Sequence, residues 1–215
     1  EVLERAEKRI YDIAMRRGGE QLRPIQPILV DTYALIAEMF ENKGQIRGVP
    51  TGYTELDNMT TGLHGGEMIL IAARPSMGKT AIGMNIVENA AIRCKKKAAV
   101  FSLEMPAEQL ALRMLCTEAK LDMQNVRRGR LEEEDWEKLS NAMTTINDAA
   151  IFVDATSGLS VAQIRSKARR LQMESGLDLV MIDYLQLMSA EGRFGSRQEE
   201  VSTISRMLKG LAQEL

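Results

Sequence analysis

Residues 73–80 read ARPSMGKT, a motif that few folds can accommodate. It follows an apolar run, Met68–Ala73, and opens a stretch of helical periodicity, Lys79–Cys94. A strand, a tight glycine-containing turn and a helix N-terminus, in that order, direct backbone N–H groups at an anion. The motif therefore predicts a phosphate-binding loop at a strand-to-helix turn, and with it a nucleotide site in an α/β fold.

Each type of residue in the loop has a chemical task. Gly78 lets the loop backbone approach the phosphates closely, because it has no side chain. The positive charge of Lys79 can interact with the β- and γ-phosphates, and the hydroxyl of Thr80 can bind Mg²⁺. We also expect Lys79 to assist catalysis. Ala73 replaces the usual first glycine, which is tolerable if its φ is one that alanine adopts, and Pro75 supplies no N–H. The predicted nucleotide-binding residues are Ser76, Met77, Gly78, Lys79 and Thr80.

Acidic residues end three of the apolar runs. Asp183 follows LVMI, and a carboxylate at the end of a buried strand needs a partner or a metal. Because the carboxyl edge of a parallel sheet faces the ligand, we predict that Asp183 and Thr80 hold Mg²⁺. Glu104 follows VFSL and is predicted to orient or deprotonate a water, although an acid before a proline-initiated helix also suits the helix dipole. Asp154 follows IFV and is expected to be structural.

Apolar runs and helical patterns alternate from residue 68 onward. The strand predictions are Met68–Ala73, Ala98–Leu103, Ala150–Val153 and Leu177–Ile182. The helix predictions are Lys79–Cys94, Ala107–Leu121, Glu132–Ile146, Val161–Glu174 and 197–215. Ser160 and Gln163 form a capping box that opens the fourth of these helices. Short, continuously apolar strands alternating with helices predict an α/β fold with a mainly parallel sheet flanked by helices.

The N-terminal region predicts two helices ahead of this alternation. Residues 1–17 have an amphipathic pattern, and residues 28–40 form a second helical stretch. Residues 44–66, rich in Gly and Thr, predict loops around a short helical turn at Glu55–Met59. A helix as short as the first needs a surface to dock on, either the rest of its own domain or another subunit. Its apolar stripe consists of Leu3, Ala6, Ile10 and Ile13.

Composition limits the partners and the compartment. The 28 Lys and Arg residues against 30 Asp and Glu give a net charge of −2, which excludes a uniformly basic nucleic-acid surface but not a local basic patch. Cys94 and Cys116 have no metal-ligand spacing and form no C-x-x-C motif, as expected for reduced thiols in the cytoplasm. No apolar run approaches the roughly 20 residues that span a bilayer, so we expect a cytoplasmic protein with no membrane partner.

Three stretches of the sequence resemble the replicative DNA helicases of the DnaB family, which are RecA-like ATPases. They are GVPTGYTELDNMTTGLHGGEMILIAARPSMGKT, VFSLEMP and LVMIDYLQLM. The resemblance covers nearly the whole chain, and an alanine-first phosphate loop is typical of the family. It implies a RecA-like P-loop NTPase core preceded by an amphipathic linker helix. The predicted division is a linker-helix region over 1–24, a connecting helix over 25–46 and the N-terminal portion of the ATPase domain over 47–215.

The resemblance also implies a function and partners. Members of the family form a homohexameric ring that encircles single-stranded DNA and unwinds duplex DNA with ATP and Mg²⁺, which places this chain at the replication fork of the bacterial nucleoid. Carried over by motif, Lys79 and Thr80 bind phosphates and metal, Asp183 supports Mg²⁺, and Glu104 is the catalytic base. The family's linker helix packs on the neighbouring subunit, so the stripe on residues 1–17 is expected to join the ring. Primase and a helicase loader are expected to bind the parent protein.

We expect the chain to be truncated at its C-terminal end. The helix over 197–215 ends on an apolar stripe, with no Gly, Asn or Pro to close it and no strand after it. The family's later DNA-binding loop and its arginine finger would then be missing. An arginine finger contributes roughly 10³–10⁵ in rate in other nucleotide hydrolases, so we expect the isolated chain to hydrolyse ATP poorly.

The segment 189–197 is the predicted DNA contact. Its Arg193, Phe194 and Arg197, together with two glycines, suit phosphate contact and base stacking, although a surface loop with incidental charges remains the alternative. Other functions also stay open: a RecA-like ATPase of the recombination or clock type, a P-loop kinase, or a non-enzymatic interaction fragment. The occurrence of all three sequence stretches in one chain favours the helicase.

Overall fold

The computed structural model of the chain describes residues 22, 24–42, 44–189 and 194–215. The predicted helix over residues 1–17 lies outside them, and so does Arg193. The chain divides into two units, Glu1–Gln45 and Ile46–Leu215.

Helix α1, Ile25–Glu41, is the described helix of the first unit. It begins after Pro24 and is slightly longer than the predicted stretch over residues 28–40. Leu29, Tyr33 and Ile36 recur at helical spacing on one face and are 59%, 76% and 55% exposed. None of the side chains of α1 is buried. The helix is therefore amphipathic, with its apolar face exposed.

The second unit alternates helices and strands. Its described helices are α2 (Thr54–Thr60), α3 (Lys79–Glu88), α4 (Ala107–Ala119), α5 (Met123–Arg127), α6 (Glu133–Asn147), α7 (Val161–Ser175) and α8 (Arg197–Glu214). Its described strands are β1 (Ala98–Ser102), β2 (Ile151–Asp154) and β3 (Leu179–Asp183). A π-helical turn, Asn89–Arg93, extends α3, and a 3₁₀ turn, Leu185–Leu187, follows β3.

The three strands form one parallel sheet in the order β2-β1-β3. Phe101 of β1 is paired with Asp154 of β2, and Ser102 of β1 with Asp183 of β3, so the carboxyl ends of all three strands meet at one edge. Every residue of the central strand β1 is buried, which accounts for its continuous apolar run. The predicted α/β fold with a parallel sheet is confirmed.

Two apolar clusters cover the two faces of the sheet. Ala99 and Phe101 of β1 contribute to a cluster with buried residues of α7 and α8, whereas Ala98 and Val100 contribute to a cluster with buried residues of α3 and α4. Successive residues of a strand point to opposite faces, so one short strand serves both clusters. From α8, the residues buried in the first cluster are Ile204, Leu208 and Leu211, which belong to the apolar stripe of the sequence.

The predicted strand over Met68–Ala73 is wrong. In the structure this segment has no ladder hydrogen bonds, and Ile69, Leu70 and Ile71 are 53%, 66% and 46% exposed. Met68 alone packs against the cluster beneath α8. An apolar run becomes a strand only where a neighbouring strand supplies hydrogen-bond partners, and no described segment lies in register beside these residues.

The capping box at the start of α7 is confirmed. The backbone N–H of Ser160 donates to Oε1 of Gln163 (2.9 Å), and the N–H of Gln163 donates to the Ser160 hydroxyl (3.3 Å). Helix α5 has no counterpart among the predictions, because five residues are too few to show a periodicity. Among the helices the structure describes, none is both long enough and apolar enough to cross a bilayer.

Candidate functional site

The loop between Ala73 and α3 has the backbone shape of an anion-binding turn. Two of its residues are left-handed, with φ of 62° at Ser76 and 89° at Gly78, and the N–H of Met77 donates to the carbonyl of Arg74 (3.3 Å). Left-handed residues within such a turn bring successive N–H groups to one concave side. Ala73 is not among the residues with positive φ, so replacing the usual glycine introduces no backbone strain there.

A hydrogen bond joins this loop to the end of β3. The hydroxyl of Thr80, in the first turn of α3, donates to Oδ2 of Asp183 at 2.6 Å, and Asp183 is only 6% exposed. The carbonyl of Asp183 accepts from the N–H of Leu103 (2.7 Å), which fixes the end of β3 against β1. The two predicted metal ligands therefore lie side by side.

The oxygen atoms of Thr80 and Asp183 are the hard donors that Mg²⁺ prefers. No group of three or more His, Cys, Asp or Glu side chains with metal-binding geometry occurs in the part of the chain that the structure describes. Mg²⁺ in nucleotide sites is commonly held by one or two protein ligands, with phosphates and waters completing the octahedron. The donor set at this corner fits such an ion.

Glu104 lies at the same edge of the sheet, two residues beyond the pairing of Ser102 with Asp183. It is exposed and lines an open depression of about 370 Å³ at the ends of β1 and β2. The hydroxyl of Ser102 donates to the carbonyl of Met105 (2.8 Å) and accepts from its N–H (3.2 Å), which turns the chain sharply around Glu104. The carboxylate is thus free to face a ligand at the strand ends.

Lys79 contacts an aromatic ring. Its ammonium lies 4.8 Å from the centre of the Tyr184 ring, within the range of a cation–π interaction. The sequence analysis missed Tyr184, although its position directly after the strand-end acid Asp183 is a usable signal.

The sequence analysis also missed a buried carboxylate that shapes the turn before α2. Asp57 is 3% exposed and accepts from the N–H of Thr51 (2.8 Å), the hydroxyl of Thr51 (2.7 Å) and the next N–H along the chain (3.0 Å). Asn89, in the turn that extends α3, donates to the carbonyl of Thr51 (3.0 Å), and Asn85 donates to the Tyr53 hydroxyl (3.3 Å). The turn is therefore fastened to the helix that carries Thr80.

Two other acidic residues have pKa values that their surroundings shift in opposite directions. Asp154 forms an ion pair with Lys167, and its Oδ1 accepts from the N–H of Thr156 (3.0 Å). Burial alone would raise the pKa of Asp154, but these hydrogen bonds outweigh it and hold that pKa below the ordinary value. Burial, together with the charge of Glu118, raises the pKa of Glu88 to about 7. Asp154 thus has the structural partners that its sequence context predicts.

Comparison with known proteins identifies the family. The sequence model of the DnaB-like helicase C-terminal domain matches residues 48–215. The chain belongs to the DnaB-like helicase C-terminal domain family. This confirms the resemblance found in the sequence.

Replicative DNA helicases are among the relatives that align with the whole chain. The DnaB-like chain is 49% identical over 216 residues to the replicative DNA helicase DnaC of Bacillus subtilis (strain 168). It is 47% identical over 215 residues to the replicative DNA helicase DnaB of Geobacillus stearothermophilus. Each alignment includes 100% of this chain but only 48% and 47% of the relatives, so the chain spans about half the length of the curated relatives it matches.

Solved structures of DnaB-like proteins have the same fold. A solved ATPase domain superimposes with a TM-score of 0.82 at 37% identity, over 90% of this chain and 68% of that one. A DnaB-like replicative helicase, described with its interactions with primase, gives a TM-score of 0.79 at 35% identity, over 100% of this chain and 51% of that one. The RecA-like fold is thereby confirmed, and none of these relatives favours a recombination ATPase, a clock protein or an interaction fragment.

The predicted DNA contact of this DnaB-like domain is only partly described. Phe194 is half-buried just before α8, and Arg193 lies outside the described residues. The guanidinium of Arg197 is engaged within the chain: it pairs with Glu200 and donates to the carbonyls of Gln186 and Met188, the latter at 3.4 Å. Arg197 therefore fastens the start of α8 to the turn after β3.

Proposed function

We propose that the chain is the nucleotide-binding part of an ATP-dependent replicative DNA helicase, which unwinds duplex DNA by translocating on single-stranded DNA as a homohexameric ring. The observation that carries the proposal is the hydrogen bond of 2.6 Å between Thr80 and Asp183, in a chain of the DnaB-like family. It brings the hydroxyl of a phosphate loop and the carboxylate of a neighbouring strand to one point, as nucleotide hydrolysis requires.

The site residues have complementary tasks in this proposal. The N–H groups of Ser76 through Thr80 surround the phosphates of ATP, and the ammonium of Lys79 neutralises charge on the β- and γ-phosphates. Thr80 and Asp183 would hold Mg²⁺, which when bound supplies further positive charge to the phosphates. Glu104 orients the attacking water and accepts its proton.

The partners follow from the family and from exposed surfaces. We propose that the linker-helix region over 1–24 docks on a neighbouring subunit through Leu3, Ala6, Ile10 and Ile13, and that the connecting region over 25–46 and the ATPase domain over 47–215 follow it. The exposed apolar face of α1 supports such an assembly, because it offers further apolar surface for a neighbour to cover.

We also propose a DNA contact and the wider setting of the protein. Single-stranded DNA would contact Arg193, Phe194 and Arg197. Binding to primase is suggested by the DnaB-like structure that is described with its interactions with primase. Binding to a helicase loader is suggested by the family. The complete protein would work at the replication fork in the bacterial cytoplasm.

Nucleotide binding and strand displacement test the proposal together. The chain should bind ATP with Mg²⁺ in calorimetric titration, and Lys79→Ala should weaken that binding at least about tenfold by removing a cation from the phosphates. The complete protein should displace a strand from a forked duplex, and Asp183→Asn should abolish displacement.

A matched control removes a lysine charge away from the loop. Lys95→Asn, in an exposed left-handed turn that asparagine tolerates, should change neither binding nor displacement. A chain that binds no ATP, or a complete protein that hydrolyses ATP without displacing the strand, would contradict the proposal.

A further inference from the structure

We infer that Tyr184 is a positioning residue for Lys79: its ring holds the ammonium at the phosphate loop and thereby raises the affinity of the loop for the triphosphate. The inference rests on the proposed nucleotide site and adds a residue to it. Its starting point is the distance of 4.8 Å between Nζ of Lys79 and the ring centre of Tyr184.

Two contacts join the start of α3 to the chain at the end of β3, and the contact between Lys79 and Tyr184 is one of them. Lys79 and Thr80 are the first two residues of α3, and Asp183 is the last residue of β3, with Tyr184 directly after it. Thr80 binds Asp183 at 2.6 Å, and Lys79 faces Tyr184. The short hydrogen bond fixes the helix start against the strand end, so the ring is held in place beneath the lysine by the backbone that carries the metal ligand.

The ring, and not the phenol hydroxyl, makes the contact. Nζ of Lys79 lies over the face of the Tyr184 ring, 4.8 Å from its centre, which is the geometry of a cation–π contact. An ammonium over a ring still has N–H donors directed away from it, and these are available to phosphate oxygens. The cation can therefore contact the ring and a phosphate at the same time.

Pre-ordering of a flexible lysine explains why the ring should raise affinity. Lysine loses considerable side-chain freedom when its ammonium is fixed on a phosphate, and that loss weakens binding. Where the fold already confines the ammonium, less freedom is lost on binding. A cation–π contact at a half-buried site contributes enough for about a two- to fivefold change in Kd.

Stepwise fluorination of the ring tests this role without changing its shape. Tyr184→Phe keeps the π face, and phenylalanines with one, two or three ring fluorines at this position progressively remove its negative potential. We expect Tyr184→Phe to bind ATP with Mg²⁺ within about 1.5-fold of the parent chain, and Kd to rise at each fluorine, to a total of about two- to fivefold. Tyr184→Leu should give the same total loss.

The outcomes separate this inference from the proposed function. A parent chain that binds no ATP contradicts the proposed function itself. If the parent binds but Kd stays flat across the fluorinated series, Tyr184 does not act through the cation, and the inference is wrong. Tighter binding with fluorination would also overturn it, because the ring would then compete with phosphate for the ammonium. If Tyr184→Leu fails to fold, the fluorinated variants still test the inference, because their rings keep the shape of phenylalanine.

Discussion

At the scale of single residues, the buried carboxylates differ in how their charge is compensated. Asp57 accepts three hydrogen bonds, and Asp183 accepts one from Thr80 in a corner suited to a cation. The charge of Glu88, which is 6% exposed on α3, is not compensated in this way. Burial is the larger cause that disfavours its ionised form and the charge of Glu118 is the second, and the nearby Arg93 offsets them only in part. Its pKa accordingly rises to about 7.

The raised pKa of Glu88 predicts a pH-dependent stability. From its ordinary value of 4.5 up to about 7, the unfolded chain loses the proton while the folded chain keeps it, so the free energy of unfolding falls as pH rises. Glu88→Gln removes this penalty. We expect the variant to be more stable than the parent by about 1–3 kcal/mol at pH 8, and nearly equal to it at pH 4.5.

Urea unfolding across this pH range measures the effect. Glu137→Gln, at an exposed position of α6, is the matched control and should leave the stability within about 0.5 kcal/mol of the parent at both pH values. A Glu88→Gln variant that gains the same stability at pH 4.5 as at pH 8 would show that ionisation of Glu88 is not the cause.

At the scale of elements, helices with similar patterns have different surroundings. In α8 the apolar stripe is buried against the sheet through Ile204, Leu208 and Leu211. In α1 the stripe that includes Leu29, Tyr33 and Ile36 is exposed. Amphipathic periodicity therefore predicts that a helix has an apolar face, but not which surface covers it.

Charging the exposed face of α1 should break the proposed ring and leave the chain folded. We expect Leu29→Glu combined with Ile36→Glu to shift the complete protein from hexamer to smaller species in mass photometry. Because both side chains are exposed, the unfolding free energy of the chain should change by less than about 0.5 kcal/mol. Ala34→Glu, on the opposite face of α1, is the control. A hexamer that survives the double change would remove α1 from the proposed interface.

At the scale of the whole molecule, the chain's net charge of −2 means that the DNA binding we propose would use a local surface. The proposed contact is the segment that includes Arg193, Phe194 and Arg197. Arg197 also binds backbone carbonyls of the turn after β3, so a change there disturbs both the charge and the loop. A change at Arg197 would therefore not test the charge alone, and the prediction is made for Arg193.

Reversing the charge of Arg193 should weaken binding of single-stranded DNA and reduce its salt dependence. Each lost phosphate contact lowers the slope of log K against log salt by about 0.7. We expect Arg193→Glu in the complete protein to show this smaller slope in fluorescence anisotropy. Arg170→Glu, at an exposed position of α7, should keep the parent slope. Unchanged affinity in Arg193→Glu would exclude this arginine from the DNA contact.

Features that depend on neighbouring residues could be predicted from the sequence, and so could the distant pair of Thr80 and Asp183, because both lie at positions that a local motif marks. Distant pairing that no local motif marks could not be predicted. The loop over 73–80 and the cap of Ser160 and Gln163 are short-range patterns, and the structure has both. The apolar run over Met68–Ala73 satisfies the local rule for a strand but lacks a described partner strand. The contact of Lys79 with Tyr184 joins residues more than one hundred positions apart, and no spacing rule specifies it.

The hydrogen bond between Thr80 and Asp183 joins residues 103 positions apart, and this separation orders events during synthesis. At about 5–20 residues per second, Asp183 leaves the ribosome roughly 5–20 seconds after Thr80. During that interval the nascent chain already has the loop over 73–80 but not the carboxylate of Asp183 to which Thr80 donates. Closing so long a loop also comes late in folding. The polypeptide thus completes the pair that we propose to hold Mg²⁺ only after its central strand β1 has been synthesised.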